Sequence, residues 1–260
     1  MKKTLIALMA LAGVAMADSP LTLVDQWTFD GNLTSVNGKT FSLQTYGVSY
    51  ADGIATFSKD STASCAVFLS ETGFDLAKNW ALQLTVSIPV NSTGTAAGML
   101  CFDNGSNNGL EFNLANKNDG GVYGFTYDAN GNTWTGWGAA NQTDITQVAG
   151  MTTLTFVNYE GAIYFGVGDT WATFNNGTAD SPANVANGAL GKLLLGAGKS
   201  GNNGPADKAY SFKVDDIAVY SFDSSNVSVA DVKAALIPEP ATATLSLLAL
   251  AGLCARRRRA

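Results

Sequence analysis

The chain has 260 residues, 46% of them hydrophobic and 14% charged, with fifteen basic and twenty-one acidic side chains and no histidine. Without imidazole there is no Ser-His-Asp or Cys-His arrangement, no histidine-bearing zinc site and no imidazole general base. Once the two terminal segments described below are set aside, nine lysines face twenty carboxylates, a net charge of −11 that argues against nucleic acid as a partner.

Lys2 and Lys3 precede an apolar run from Thr4 to Val14 and the triplet Ala15-Met16-Ala17. That is the order of a secretory leader, so residues 1–17 read as a signal peptide and the exported chain starts near Asp18. From there onward nearly every segment has the two-residue period of a strand. Leu23–Phe29, Phe41–Tyr46, Ile54–Phe57 and Cys65–Leu69 come first, separated by Gly, Asn, Asp and Ser clusters that supply turns. The clearest pattern follows: Trp80, Leu82, Leu84, Val86 and Ile88 alternate with Ala81, Gln83, Thr85 and Ser87 until Pro89 stops the strand. Gly98–Phe102, Leu110–Leu114, Val122–Tyr127, Thr133–Trp137, Thr153–Asn158, Ala162–Val167 and Lys192–Ala197 complete the series. Asp128 to Asn132 and Tyr159-Glu160-Gly161 are hairpin connections, while residues 169–191 and 198–208 read as long loops. Trp27 and Trp80 are assigned to the core.

Across Ala209–Phe222 the alternation slips at Asp215-Asp216, because Tyr210, Phe212 and Val214 share a phase that Ile217 and Val219 do not. A one-residue slip is what a β-bulge produces. Ser228-Val229-Ala230-Asp231 then forms a capping box that starts a short helix ending near Leu236. Strands this frequent, with short turns, predict an all-β domain over residues 18–236, built as a two-sheet antiparallel sandwich with a short helix after the last strand. Cys65 and Cys101 are either a disulfide, which would contribute about 3–4 kcal/mol in the chain-entropy description, or two free thiols. Cys254 lies beyond the domain.

The entry Trp27-Thr28-Phe29-Asp30-Gly31, the Trp80 strand, Leu194-Leu195-Gly196-Ala197-Gly198, and Val214-Asp215-Asp216-Ile217-Ala218-Val219-Tyr220 with its following helix resemble the laminin-G-like, concanavalin A-like (lectin-glucanase) domains of secreted bacterial proteins. The resemblance spans roughly Leu21 to Leu236. It implies a jelly roll of two curved sheets, often with a carbohydrate-facing concave side. Some relatives are glucanases that use carboxylates a few residues apart on one strand. Here Glu71, Glu111 and Glu160 are widely spaced and no E-x-D-x-x-E run exists, so the domain reads as non-catalytic. No cofactor is expected beyond a structural calcium of the kind the resemblance allows, held by Asp30 with Asp215 or Asp216. The Asp128-x-Asn130-x-Asn132 run begins like an EF-hand loop but lacks its glycine and its final Glu, and is first a hairpin tip.

The segment most suited to a ligand is Tyr127 to Gln142, where Trp134 and Trp137 stand among Asn130, Asn132, Asn141 and Gln142. Aromatic faces pack on the C–H surface of sugars, and amides bond the hydroxyls. Trp171, next to Asn175-Asn176, is a second candidate. Tyr127, Trp134, Trp137 and Trp171 are therefore the ligand-binding expectation, against the alternative that strand aromatics fill the core.

The chain ends with Pro238-Glu239-Pro240, fifteen uncharged residues from Ala241 to Ala255, and Arg256, Arg257, Arg258 and Arg259, the only arginines present. As a helix the apolar run would be roughly 22 Å long against a hydrocarbon core of about 30 Å, a transient stop rather than a permanent anchor. The arginines would stay on the cytoplasmic side. This trio, over residues 237–260, resembles the PEP-CTERM sorting signal of Gram-negative bacteria, which implies a membrane-embedded exosortase as processing partner. It implies export to the cell surface, outer envelope or extracellular matrix after a passage through the inner membrane. The expected function is a non-catalytic binding domain for carbohydrate or matrix polymer. A structural or adhesion role without sugar binding, and a weak glycoside hydrolase, stand as alternatives.

Overall fold

A computed structural model describes residues 19–38, 42–43, 48–57, 66–69, 79–87, 97–103, 109–114, 121–128, 134–135, 142–174, 192–195 and 212–237. The leader, Cys65, Glu71, Trp137, the Asn130, Asn132 and Asn175-Asn176 positions, and the whole tail from Pro238, with its expected hydrophobic helix, lie outside these residues. The described strands are β1 (Thr22–Trp27), β2 (Ser42–Leu43), β3 (Val48–Ala51), β4 (Ile54–Phe57), β5 (Ala66–Leu69), β6 (Trp80–Ser87), β7 (Ala97–Asp103) and β8 (Gly109–Leu114). They continue with β9 (Val122–Asp128), β10 (Trp134–Thr135), β11 (Gln142–Thr146), β12 (Met151–Tyr159), β13 (Ala162–Val167), β14 (Thr170–Trp171), β15 (Lys192–Leu195) and β16 (Phe212–Ser221), followed by helix α1 (Val229–Leu236).

The strands form two antiparallel sheets, a jelly-roll sandwich in agreement with the expected class. The first runs β14-β13-β12-β6-β16-β4-β3, with β1 also on β16; the second runs β10-β9-β8-β7-β15-β5-β2, with β11 also on β9. Alternation decides which side of each strand is buried. Leu82, Leu84 and Val86 of β6, Leu154 and Phe156 of β12, and Ile163 and Phe165 of β13 all enter one core with Trp27 and Trp80. Phe112 and Tyr123 from the second sheet meet Phe156 and Phe165 from the first, with ring centroids 5.0 to 5.3 Å apart. These are edge-on and offset contacts of the kind aromatic quadrupoles prefer. Among the described residues this is where the two layers interlock.

The bulge lies where the phase slip put it. Val214 pairs with Val86 and Asp216 with Thr85, so Asp215 is the extra residue. Its effect is to return Ile217 and Val219 to the core side that Phe212 and Val214 already occupy. It also marks a change of neighbour, since β16 pairs with β4 before the bulge and with β1 after it. The β3–β4, β12–β13 and β13–β14 hairpins of the first sheet each close on two residues. Asp52 and Gly53, and likewise Glu160 and Gly161, have positive φ, the geometry that matches strand twist.

Three elements differ from the sequence reading. β3 and β11 arise where no strand was expected, and β14 falls inside the stretch read as a loop. Thr133–Trp137 contributes only Trp134–Thr135 to the described strands. At the other boundary Phe29 leaves β1 with φ of 51° yet remains buried, so the chain turns while its ring stays in the core.

The outer face of the first sheet is covered by α1. Ser228 Oγ accepts the Asp231 N–H, and the Asp231 carboxylate accepts the Ser228 N–H, completing the capping box. Val232 and Leu236 bury against Ala81 and Val157, with Tyr159, Tyr164, Trp171, Tyr220 and Phe222 packed around them. Gln83 Nε2 donates to the Leu236 carbonyl at 2.7 Å, and the Tyr159 hydroxyl donates to Val227 O at 2.9 Å. Both ends of the helix are thereby tied to the sheet. Among the described residues no helix is long and apolar enough to cross a membrane.

Candidate ligand-binding edge

β9 has β8 on one side, so both β10 and β11 lie on its other side: Trp134 pairs with Asp128, Thr135 with Tyr127, and Gln142 with Gly124. The pleat puts position 127 on the same side of the sheet as buried Tyr123, and position 134 on the opposite side. Gln142 and Thr143 are buried in the strand, which makes them part of the frame. Two polar residues at its start hid β11 from the sequence pattern.

β11 does a second job. Thr143 bridges to Phe174, the Asp144 N–H donates to Thr173 O at 3.0 Å, and the Thr173 N–H returns to Asp144 Oδ1 at 2.8 Å. The Ala172 N–H in turn donates to Phe165 O on β13. A strand bordering the second sheet is thus laced to the segment following the last strand of the first. Thr143 and Asp144, directly after the first stretch singled out for ligand binding, thus meet Thr173 and Phe174, directly after Trp171.

Trp171 is half-buried on β14 and pairs with Gly166. A Cβ at position 166 would stand 3.2 Å from the Trp171 ring and from Thr170 O, so the glycine is what lets the indole lie against the strand. Its ring belongs to the cluster beneath α1, with Lys233 Nζ 5.0 Å from its centroid and 4.1 Å from that of Tyr164. At these distances the ammonium is attracted to the negative faces of both rings. The sequence held no signal for this trio, because the helix supplies Lys233 from sixty residues downstream.

The carboxylates are dispersed. Glu160 is at the tip of the β12–β13 hairpin, whereas Glu111 pairs with Thr126 in the second sheet. Asp30 is exposed after β1, and Asp215 is exposed in the bulge. Burial pushes the Asp216 carboxyl above its ordinary range, opposed by the 3.0 Å bond from Gln26 Nε2. Among the described residues no three His, Cys, Asp or Glu side chains are grouped to hold a metal. Asp25, fully buried, accepts from Ser35 Oγ and from the Gln26 N–H, an arrangement that pins the 35–37 turn to β1.

No protein-family model and no curated protein matches the chain. Solved structures do. Domain 4 of AbnA, a GH43 extracellular arabinanase from Geobacillus stearothermophilus in complex with arabinotriose, superposes with a TM-score of 0.53 at 14% identity, over 83% of this chain and 98% of that one. Botulinum neurotoxin type C, in a structure concerned with its interaction with two ganglioside molecules, gives 0.55 at 9% identity over 83% of this chain and 52% of that one. A Trypanosoma rangeli sialidase carrying 2,3-difluorosialic acid as a covalent intermediate gives 0.55 at 13% identity over 84% and 34%. The chain therefore spans about half of the toxin chain and a third of the sialidase chain in those structures. At these identities the likeness is one of fold: a β-sandwich recurring as a unit in proteins that meet carbohydrate.

Proposed function

We propose that the chain is an exported, non-catalytic binding domain for carbohydrate or an extracellular matrix polymer, which contacts its ligand at the laced edge. The observation that carries this reading is the Thr143–Phe174 bridge, which joins β11 to the segment following Trp171. β11 follows the stretch whose sequence is rich in aromatic and amide residues, and the bridge sets it beside the strand that carries Trp171. The near-complete overlap with an arabinanase domain bound to arabinotriose supports it. So do the lack of histidine and the placing of Glu111 and Glu160 in different sheets, which support a role without hydrolysis. Residues 238–260 are proposed to be the sorting segment, with Pro238-Glu239-Pro240 presented to an exosortase-type enzyme during passage through the membrane.

Affinity electrophoresis of the full chain through a panel of plant, microbial and animal polysaccharides tests the binding role. Retardation by at least one polymer is expected, weakened about tenfold or more by Trp134→Ala or Trp137→Ala if each ring supplies a typical aromatic hot spot. Unretarded migration across the panel would overturn it. Reducing-sugar release that disappears in Glu111→Gln or Glu160→Gln would replace it with hydrolysis.

A further inference from the structure

Helix α1 fixes where the chain leaves the sandwich. The turn before it is tied to Asn79 and Tyr159 at one end of the first sheet, through Ser224 and Val227. Leu236, at its other end, is buried with its carbonyl on Gln83. The helix therefore runs from the level of Trp80 and Asn158 to that of Gln83 and Thr155, and points at the end where Met151, Ser87 and Lys213 are cross-strand neighbours.

That end holds two of the four large hydrophobic residues exposed among the described ones, Val148 and Met151, each at 42%. Val148 is held on a fixed loop and Met151 opens β12. The Val148 N–H donates to the Tyr123 hydroxyl at 3.2 Å, and Gln147 bonds Val122 O through its side chain and Gly121 O through its backbone.

Chain length adds the second constraint. Ala241, first of the fifteen uncharged residues, is four residues past Ile237, a reach of at most about 14 Å. Gln83 to Ser87 is also four residues, roughly 13 Å along a strand. The apolar run can thus begin only about where the sheet ends, leaving no spacer to cross a headgroup layer roughly 6 Å deep.

We infer that, while the tail is inserted, the Val148–Met151 end of the sandwich rests on the lipid surface, with the two apolar side chains entering the headgroup region. The inference depends on the reading of residues 241–259 as membrane-inserting. Lys213 stands in the same row and meets anionic headgroups favourably.

The test uses the full chain reconstituted in phosphatidylethanolamine and phosphatidylglycerol vesicles, with a benzophenone amino acid in place of Met151 or, separately, of Glu160 at the opposite end of β12. Both positions are exposed, so either variant should fold. Floated protein should give lipid adducts from position 151 and none from 160. Insertion of about twelve Gly and Ser residues between Ile237 and Pro238, roughly 19 Å of root-mean-square reach, should abolish the adducts while flotation persists. Equal adducts from both positions, or adducts that survive the insertion, would overturn the inference and leave the tail reading intact. Failure to float would overturn both, leaving the polysaccharide result unaffected.

Discussion

Two apolar clusters among the described residues differ in kind. Between the sheets, Phe112, Tyr123, Phe156 and Phe165 interlock with Trp27 and Trp80 and are almost wholly removed from water. Beneath α1, only Ala81, Val157, Val232 and Leu236 reach that state; their neighbours remain half-buried, among them Tyr159, whose hydroxyl bonds Val227 O, and Tyr164 and Trp171, whose rings meet Lys233. The first cluster is the condition for the two layers to exist. The second fastens the chain's exit to an already complete sheet, and it can loosen without dissolving the fold.

The largest effect expected is therefore in the first cluster. Phe156→Ala should cost about 3–5 kcal/mol, read as a lower urea midpoint with the whole sandwich melting as one transition. In the second cluster Leu236→Ala should cost about 2 kcal/mol, the low end for a leucine, because its surroundings can relax toward solvent. The telling measurement is proteolysis, with cleavage near Ile237 accelerating while tryptophan fluorescence of the core is unchanged. If global unfolding accompanies it, the clusters are not separable. Ser228→Ala removes one half of the capping box, should cost about 1 kcal/mol, and should raise amide exchange in α1 alone.

The smallest effect is in pH dependence, where two aspartates of opposite sign divide the acid limb. Burial raises Asp216 above the usual carboxylate range, so on acidification the folded chain takes up this proton before the unfolded chain does. Stability gains from Asp216 as pH falls through its raised value, and Asp216→Asn should flatten that gain. Asp231 is lowered by the side-chain and backbone bonds from Ser228, so its contribution is present above the ordinary carboxylate range and lost as pH falls through its own lowered value. Asp231 is fully exposed, and Asp231→Asn should produce only a slight change confined to the most acidic part of the curve.

Much of this was legible because some features are written locally. The β6 alternation, the Asp215 bulge, the Ala162–Val167 strand and the Ser228 cap each depend on a few neighbouring side chains, and each was found where the residues put it. The edge lacing was not legible. Gln142-Thr143-Asp144-Ile145-Thr146 shows no apolar alternation, and its strand character comes from bonding partners on β9 and at Thr173. The docking of α1 left only a faint trace, Ala81 and Val157 at positions where a solvent face would carry polar groups. Of the proposed ligand residues, Tyr127, Trp134 and Trp171 are located by strand register, while Trp137 lies outside the described residues.

The seam between Asp144 and Thr173 has a consequence for how copies of the chain can meet. An unpaired border strand offers a template on which identical molecules can add one after another. Here the Asp144 N–H and the Thr173 N–H and carbonyl are already bonded within the same chain, which disfavours the addition of a second copy at these positions. Severing the seam, for instance by Thr173→Pro, would reopen the border and favour filaments over single particles.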